Sequence, residues 1–308
     1  MVSNVDMSVD LAGIKLKNPI NTASGTYGYG WQFESFYDVS QLGVITTKGC
    51  AAEAWPGNPA PRMTEVTSGM MNSVGLQNPG VRGLIQGSGE YLQELSDKGT
   101  AVICQVAGHS VEEYVAAVEL FEELAPFAAG LEINISCPNI AAGGCAMGST
   151  PEGAAGVIRA VRPHTKKPLL VKMAPARVVD VAKALEAEGA DALTVINSIP
   201  GMAIDVNTRR SKLSRPTGGM SGPALHPIAV RMVWEVHNAV SLPIVGVGGV
   251  MTGADAAEFI LAGATSVSVG MANLVDPMAA PRILGELTEW AESQGVSNIS
   301  ELIGAFEG

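Results

Sequence analysis

Short apolar runs rich in β-branched residues alternate with longer amphipathic stretches along the chain, and this alternation limits the fold more than any other feature. Alternating strands and helices imply a parallel sheet, and eight such units favour a closed barrel over an open sheet. We therefore predict a TIM (β/α)8 barrel that forms one domain over residues 1–308. The predicted strands are Ile20–Thr22, Val44–Thr47, Val102–Val106, Leu131–Ile135, Leu169–Lys172, Leu193–Ile196, Ile244–Val247 and Val267–Val269. The predicted helices are Trp31–Val39, Val81–Asp97, Val111–Leu124, Pro151–Val161, Val178–Glu188, His226–Ala239, Ala254–Ala262 and Pro277–Ser293.

Two long segments interrupt the alternation. Gly49–Pro79 follows the second strand and Asn197–Pro223 follows the sixth. In a barrel, both emerge at the carboxyl face, where barrel enzymes place their active sites. Connections of this length are usually either functional or disordered. These two contain Thr, Asn, Met and Leu in runs typical of ordered segments, which favours function.

The overall charge restricts what the chain binds. Its 308 residues carry a net charge of -11, and 47% of them are hydrophobic against 16% charged. This composition excludes a disordered chain and argues against nucleic-acid binding, which needs a basic surface. A local cationic pocket for a small anion remains compatible with it.

The four cysteines, Cys50, Cys104, Cys137 and Cys145, show no C-x-x-C spacing. We interpret them as reduced thiols and predict neither a metal site nor an iron–sulfur cluster in this chain. The first ten residues lack the apolar core of a signal peptide, and the uncharged stretch Phe259–Val275 is short for a membrane span. We predict a buried helix–turn–strand unit there and a cytoplasmic location.

Polar or glycine residues close nearly every predicted strand. Two of them are lysines, Lys48 and Lys172, each directly after an apolar run. Burying a lysine is costly unless it meets an anion, and the alternative is that each side chain extends to solvent. The full set is Ser24, Lys48, Gln105, Asn134 with Cys137, Lys172, Asn197, Gly248, Gly249 and Gly270.

Glycine turns follow the seventh and eighth strands, in Val245–Val250 and Val267–Met271. Bare backbone N–H groups there form an anion site, and barrel enzymes often hold phosphate at this place. A tight turn without a ligand is the alternative. The run is not a dinucleotide fingerprint, because Met251 stands where a third glycine belongs.

Glu132–Asn139 is the sharpest local motif, with Cys137 between Ser136 and Pro138 after a strand. A cysteine at a barrel mouth can act as a nucleophile or a general base. A general base is favoured because all four histidines are predicted at or in helices, which leaves no obvious triad. The alternative is a buried structural cysteine. Glycines 143, 144 and 148 suit a loop that opens and closes over a site.

These motifs together resemble the catalytic subunits of class 1B dihydroorotate dehydrogenases, and the resemblance covers essentially the whole chain. It rests on the closing Gly248–Gly249 pair and on six longer motifs. Those motifs are Met71–Gly80, Asn134–Asn139, Val171–Pro175, Gly201–Asp205, Thr217–Pro223 and Phe259–Ala264.

The resemblance implies the oxidation of (S)-dihydroorotate to orotate in pyrimidine biosynthesis by a TIM barrel that binds FMN at its carboxyl mouth. It makes Cys137 the general base that takes a proton from C5, while a hydride passes from C6 to the flavin. The implied flavin-binding residues are Ser24, Lys48, Gly49, Gln105, Asn134, Lys172, Ile196, Gly222, Gly248, Gly249, Gly270 and Met271. The implied substrate-binding residues are Lys48, Asn72, Ser73, Val74, Gly75, Leu76, Asn134, Asn197 and Ser198.

The resemblance also implies partners. A homodimer of this chain would form the core of a heterotetramer, and a second subunit with FAD and a [2Fe–2S] cluster would pass electrons to NAD. Three residues depart from the family pattern: Gln105 in place of Asn, Met271 in place of Thr, and Ser198 in place of Thr. Two alternatives remain, a dihydropyrimidine dehydrogenase-like flavin reductase acting on uracil or thymine, and a barrel without catalytic activity.

Overall fold

The computed structural model describes residues 5–136 and 147–308, and its centre is a sheet of eight parallel strands. Every barrel strand predicted from the sequence is present, with ends that differ by one residue at most. In order along the chain, the barrel strands are β1 Ile20–Thr22, β2 Val44–Thr46, β3 Ala101–Val106, β4 Gly130–Asn134, β5 Leu169–Lys172, β6 Ala192–Val195, β7 Ile244–Val247 and β8 Ser266–Val269.

Strand order makes the sheet a nearly closed TIM barrel. Strands β2 to β8 pair with their neighbours in sequence, and β8 pairs with β1. The two remaining edges, β1 and β2, meet through side chains. The Thr46 N–H donates to Thr22 Oγ1 at 3.2 Å, and Thr46 Oγ1 donates to Asn21 Oδ1 at 2.9 Å.

Helices surround the barrel, and most begin and end where the sequence predicts. Thr150 caps α3 through the Gly153 N–H, with Pro151 at the first helical position. The sequence Ser110–Glu113 has the pattern of a capping box, and Ser110 does cap the helix Val111–Leu124. The Glu113 carboxylate accepts from the His109 N–H instead of the Ser110 N–H, so the box is only half formed. The helices are α1 Gly80–Asp97, α2 Val111–Leu124, α3 Pro151–Val161, α4 Val178–Ala187, α5 His226–His237, α6 Gly253–Leu261, α7 Ala272–Val275 and α8 Ala279–Ser293.

The predicted helix Trp31–Val39 is wrong. The structure has two short 3₁₀ turns instead, Trp31–Phe33 and Val39–Gln41. No side chain caps the start at Gly30, and aromatic packing sets the path of the chain, since the rings of Tyr27 and Phe33 stack at 3.9 Å. Further 3₁₀ turns are Met147–Ser149, Arg162–His164, Pro223–Leu225 and Ile299–Leu302.

The two long segments after β2 and β6 form a second, antiparallel sheet, which we call the mouth sheet. Its strands, in spatial order, are Ile199–Gly201, Gly218–Ser221, Gly69–Asn72 and Met63–Val66. Because both segments follow barrel strands, this sheet belongs to the carboxyl face. Two small hairpins complete the strands, Val9–Leu11 with Ile14–Leu16 and Ile204–Asp205 with Arg210–Ser211.

The core lies inside the barrel and between the barrel and its helices. Tyr114, Phe121 and Phe259 are fully buried on the helix side. The stretch Phe259–Val275 contains the end of α6, a turn and β8, as the sequence predicts. Within the part of the chain that the structure describes, none of the helices has the length and apolar character needed to cross a membrane.

Candidate active site

Polar side chains at the carboxyl ends of β1, β3 and β4 form a connected set, in which Ser24 is half-buried and the others are buried. Gln105 Oε1 accepts hydrogen bonds from Ser24 Oγ at 2.7 Å and from Asn134 Nδ2 at 3.3 Å. Gln105 Nε2 donates to Glu132 Oε1 at 2.6 Å, and Ser24 Oγ accepts from the Gly49 N–H at 3.1 Å. The structure therefore brings together three residues predicted from separate strand ends, Ser24, Gln105 and Asn134. Gly49, which the resemblance implies, and Glu132 join them.

The same set continues to the end of β6. Ser136 Oγ donates to Asn134 Oδ1 at 2.6 Å, and Asn197 Nδ2 donates to Ser136 Oγ. Asn197 Oδ1 accepts from the Ser198 N–H at 2.8 Å. Tyr114 in α2 donates its hydroxyl hydrogen to the Asn134 carbonyl at 2.6 Å, which ties the strand end to the helix layer.

Lys172 ends β5 inside the barrel, in register with Asn134 on one side and Thr194 on the other. Its side chain is buried. Burial lowers the pKa of Lys172 below its ordinary value of 10.5, and the nearby Glu132 carboxylate opposes that shift. The other oxygen of Glu132 accepts a hydrogen bond from Thr194 Oγ1. The site thus holds a buried lysine with a buried carboxylate near it, and each oxygen of that carboxylate accepts a hydrogen bond.

The turns at Gly222 and Gly249 lie so close to neighbouring atoms that neither position has space for a side chain. A Cβ on Gly222 would lie 2.6 Å from Gly69 Cα and 2.8 Å from Met271 Sδ. A Cβ on Gly249 would lie 2.7 Å from the Gly222 carbonyl oxygen. Gly222 and Gly249 have φ values of +116° and +70°, and Gly248 has +149°. Four predicted flavin residues, Gly222, Gly248, Gly249 and Met271, therefore converge at turns where the backbone is not covered by side chains of their own glycines, an arrangement that suits an anion.

The remaining predicted flavin residues lie around these two clusters. The Ile196 N–H donates to the Val247 carbonyl at 3.2 Å, which places Ile196 beside the end of β7. A Cβ on Gly270 would lie 3.4 Å from Ala23 Cβ, so Gly270 is next to the end of β1. Lys48 is half-buried after β2, and its N–H donates to the Gly28 carbonyl at 3.0 Å.

The predicted substrate segment Asn72–Leu76 leaves the mouth sheet and is held from behind by Asn58. Asn58 Nδ2 donates to Ser73 Oγ and to the Ser73 carbonyl, both at 3.0 Å, and the Asn58 N–H donates to the Val74 carbonyl at 3.0 Å. Ser73 is therefore committed to the loop's own structure. Asn72 Nδ2 donates to the Gly219 carbonyl at 3.4 Å within the mouth sheet.

Gly75 and Leu76 complete the segment, and both have positive φ, +73° and +52°. Two predicted features lie outside the described residues: the general base Cys137 and the glycine pair at 143 and 144. The structure describes Ser136 before this stretch and Met147 after it.

Sequence reasoning assigned no role to Glu132, Thr194, Ser136 or Asn58, although all four are buried. Glu132, Ser136 and Asn58 are hydrogen-bonded to predicted site residues, and Thr194 is hydrogen-bonded to Glu132. One signal was available for Glu132. It is two residues before Asn134 on the same strand, so both side chains point to the same face of the sheet. The contacts of Ser136 and Asn58 depend on loop paths that periodicity does not encode.

Comparisons with known proteins agree on one family. The family model described as dihydroorotate dehydrogenase matches residues 6–290. A curated protein of Geotalea uraniireducens, named dihydroorotate dehydrogenase B (NAD(+)), catalytic subunit, is 48% identical over 303 residues, which cover 98% of each chain. A protein of the same name from Geobacter metallireducens is 46% identical over 304 residues, again 98% of each chain. A crystal structure of DHODH from Eimeria tenella in complex with ferulenol superposes with a TM-score of 0.80 and 21% identity, covering 97% of this chain and 88% of that one.

Proposed function

The chain belongs to the dihydroorotate dehydrogenase family, and from this premise we propose that it oxidises (S)-dihydroorotate to orotate in pyrimidine biosynthesis. One observation carries the proposal, the buried hydrogen-bonded set that runs from Ser24 to Asn197 beside Lys172. Dihydroorotate presents ring N–H groups, carbonyl oxygens and a carboxylate. Side-chain amides and a nearby cation complement those groups.

FMN is the cofactor that we propose for this chain, and when bound it supplies the hydride acceptor. Three features of the site fit a flavin: the buried Lys172, the side-chain amides of Gln105 and Asn134, and the side-chain-free turn at Gly222 and Gly249. A cation suits a negatively charged ring, and bare backbone N–H groups suit a phosphate. The proposed flavin-binding residues are Ser24, Lys48, Gly49, Gln105, Asn134, Lys172, Ile196, Gly222, Gly248, Gly249, Gly270 and Met271.

The substrate and the proton are handled by the chain's own side chains. We assign the general base to Cys137, whose thiolate would remove the C5 proton of dihydroorotate. The amide N–H groups of Asn134 and Asn197 donate to the acceptors of the pyrimidine, which fixes the ring. The proposed substrate-binding residues are Lys48, Asn72, Ser73, Val74, Gly75, Leu76, Asn134, Asn197 and Ser198.

The relatives are named catalytic subunits, which supports a partner for this chain. We propose that the partner carries FAD and a [2Fe–2S] cluster and passes electrons to NAD, that a homodimer of this single-domain chain is the core of a heterotetramer, and that the assembly is cytoplasmic. Among the described residues, both cysteines, Cys50 and Cys104, are buried free thiols.

The purified chain tests whether a partner is needed. We expect it to reduce an artificial electron acceptor but not NAD, and direct reduction of NAD would contradict the proposal that a partner subunit passes the electrons on.

Anaerobic bleaching of the bound flavin tests the function most directly. We expect dihydroorotate to bleach the absorbance of the flavin-loaded chain within one turnover, and dihydrouracil to leave it oxidised. The discrimination is expected because dihydrouracil lacks the carboxylate that a lysine and amide donors hold. Bleaching by dihydrouracil at a similar rate would favour a dihydropyrimidine reductase, and a chain that takes up no flavin would point to a barrel without catalytic activity.

A further inference from the structure

His226, the first residue of α5, is a buried histidine that contacts the glycine turn after β7. Its Nδ1 lies 3.1 Å from the carbonyl oxygen of Gly248. A carbonyl oxygen can only accept a hydrogen bond, so Nδ1 carries a hydrogen and donates it to Gly248. This contact ties the first residue of the turn to the helix.

The rest of the imidazole ring is held in place by α6. Its Nε2 lies 3.3 Å from Glu258 Oε2 and 3.8 Å from Asp255 Oδ1, and the ring meets Phe259 edge-on with the centroids 5.2 Å apart. The other oxygen of Asp255 accepts from the Met251 and Thr252 N–H groups, both at 2.8 Å. The same helix therefore holds the ring and the far end of the turn.

The hydrogen bond from His226 sets the direction of the peptide unit between Gly248 and Gly249. This peptide bond is trans, and in a trans peptide the carbonyl and the N–H point to opposite sides. Because the Gly248 carbonyl is directed at the ring, the Gly249 N–H is directed away from it. Among the residues that the structure describes, this N–H has no hydrogen-bond acceptor, so it is available to a ligand.

The two glycines themselves do not hold this peptide unit in one direction. Their φ values are +149° for Gly248 and +70° for Gly249, and glycine adopts many other conformations at little cost. A peptide unit between two glycines can therefore rotate easily. A hydrogen bond from outside the turn is needed to keep the N–H in a fixed direction.

We propose that His226 is a positioning residue for the flavin phosphate, which acts by holding the Gly248 carbonyl so that the Gly249 N–H points at the phosphate. A backbone N–H in a glycine turn is a good donor to an anion of this kind. This inference rests on the proposed function for the identity of the ligand, FMN. It adds a side chain that does not touch the ligand but prepares the backbone that does.

Asparagine and glutamine at position 226 separate the two contacts of the imidazole. The amide nitrogen of asparagine can stand where Nδ1 stands, so it keeps a donor to the Gly248 carbonyl. The longer glutamine places its amide where Nε2 stands, beside Glu258 and Asp255, and has no donor at the position of Nδ1. Both variants lose the ring and its contact with Phe259, so they share the loss of packing.

The test compares the affinities of the chain for FMN and for riboflavin, which has the same ring system but no phosphate, by fluorescence titration. We expect His226→Gln to weaken FMN binding by about tenfold, as for the loss of one hydrogen bond to a charged group. Its riboflavin affinity should stay within about threefold of the wild type, because riboflavin does not use the Gly249 N–H. His226→Asn should keep the ratio of the FMN to the riboflavin affinity within about threefold of the wild type.

His237→Gln is the matched control, because it makes the same substitution at the other end of α5, where the imidazole packs against Gly263 and Gly304. We expect it to leave the ratio of the two affinities unchanged. A purely structural role for His226 would give a different pattern from the one proposed. In that case both substitutions at position 226 would weaken FMN and riboflavin together.

Two outcomes overturn the positioning role: a folded His226→Gln variant with the wild-type ratio, or a folded His226→Asn variant whose ratio falls as far as that of the glutamine variant. If His226→Gln does not fold, His226→Leu, which also lacks the donor, takes its place with the same expectation. Failure of the proposed function gives a different result, a chain that binds FMN but is not bleached by dihydroorotate, and the two affinities then still decide the role of His226. A wild-type chain without affinity for FMN overturns both proposals.

Discussion

At the scale of single residues, the buried Lys172 is costly to place, and its position therefore indicates a ligand. A buried ammonium is unfavourable without an anion, and among the described residues the carboxylate that offsets its burial is Glu132, which already accepts from Gln105 and Thr194. A bound anionic group would offset the remaining cost. FMN binding is therefore expected to reduce the free-energy cost of burying the charged Lys172 side chain.

The lowered pKa of Lys172 predicts how FMN binding depends on pH. A lysine with a depressed pKa loses its proton below its ordinary value of 10.5, so the FMN affinity should decline as the pH rises through that lowered pKa. Glu132 raises the pKa of Lys172, so Glu132→Gln should move the decline to lower pH. Fluorescence titration of FMN from pH 7 to 10 measures this decline in the wild type and in the variant. A decline that starts at the same or a higher pH in the variant would contradict the effect of Glu132 on the pKa of Lys172.

Cys137→Ala tests the proposed general base. The substitution removes the group that takes the C5 proton, so we expect flavin reduction by dihydroorotate to slow by about 100-fold or more, while FMN stays bound. Cys145→Ala is the matched control, because it removes another thiol from the same segment and should leave the rate near that of the wild type. Stopped-flow absorbance measures the reduction, and a Cys137→Ala variant with wild-type rates would refute the assignment.

The site shows where prediction from single residues ends. Ser24, Gln105, Asn134 and Asn197 could be predicted because each closes an apolar run, and strand ends of a parallel barrel meet at one face. The contacts of Glu132 could not be predicted, because its partners Gln105 and Thr194 lie on other strands of the barrel. The orientation of each amide likewise depends on a contact, not on spacing.

At the scale of elements, the barrel strands follow from short β-branched runs, but the mouth sheet does not. Its strands are rich in glycine, methionine and polar residues, and its central pairing joins Asn72 to Gly219, 147 residues apart in sequence. Such pairing depends on the barrel bringing two loops to one face. The failed helix Trp31–Val39 has the opposite cause, because aromatic contacts with Tyr27 outweigh a local helical pattern.

The contact between the mouth sheet and the turn after β8 predicts unequal effects of two glycine substitutions. Gly222→Ala would force a Cβ within 2.6 Å of Gly69 Cα at a φ of +116°, so we expect a loss of about 2 kcal/mol or more in the free energy of unfolding. Gly270→Ala meets only Ala23 Cβ at 3.4 Å, an ordinary contact, and should cost less than about 1 kcal/mol. Urea unfolding of both variants measures the difference, and equal losses would contradict the tight approach at Gly222.

At the scale of the whole molecule, many charged side chains lie at the surface, whereas several cysteines and tyrosines are buried. The excess of acidic residues gives the net charge of -11, and among the described residues most ion pairs involve exposed side chains, which contribute little to stability. The buried cysteines and tyrosines have ordinary pKa values of 9.0 and 10.0, and burial raises them further. The stability of the fold should therefore depend on pH most strongly at the alkaline side.

The direction of that dependence follows from the buried thiols and phenols. Burial raises the pKa of Cys50 from its ordinary 9.0 to about 11 and the pKa of Tyr37 from 10.0 to about 12, and it raises the pKa values of Cys104, Tyr27, Tyr29 and Tyr91 as well. A group with a raised pKa in the folded state contributes its full stability below the ordinary value and loses it as the pH rises through the raised one. The lysines Lys17 and Lys172 have lowered pKa values and oppose the trend below pH 10.5, but they are fewer.

We therefore expect the free energy of unfolding of the flavin-free chain to fall between pH 9 and 11, most steeply above pH 10, where the buried tyrosines add to the effect of the two thiols. Each buried group that stays protonated in the fold but ionises on unfolding contributes a slope of about 1.4 kcal/mol per pH unit. Cys50→Ala removes one such group, so its free energy should fall less steeply than that of the wild type between pH 9 and 11, whatever its stability at neutral pH. Urea unfolding at half-unit steps of pH measures both slopes. Parallel slopes in the wild type and the variant would mean that the Cys50 thiol has the same pKa in the folded and unfolded chains. That result would contradict the effect of burial on Cys50.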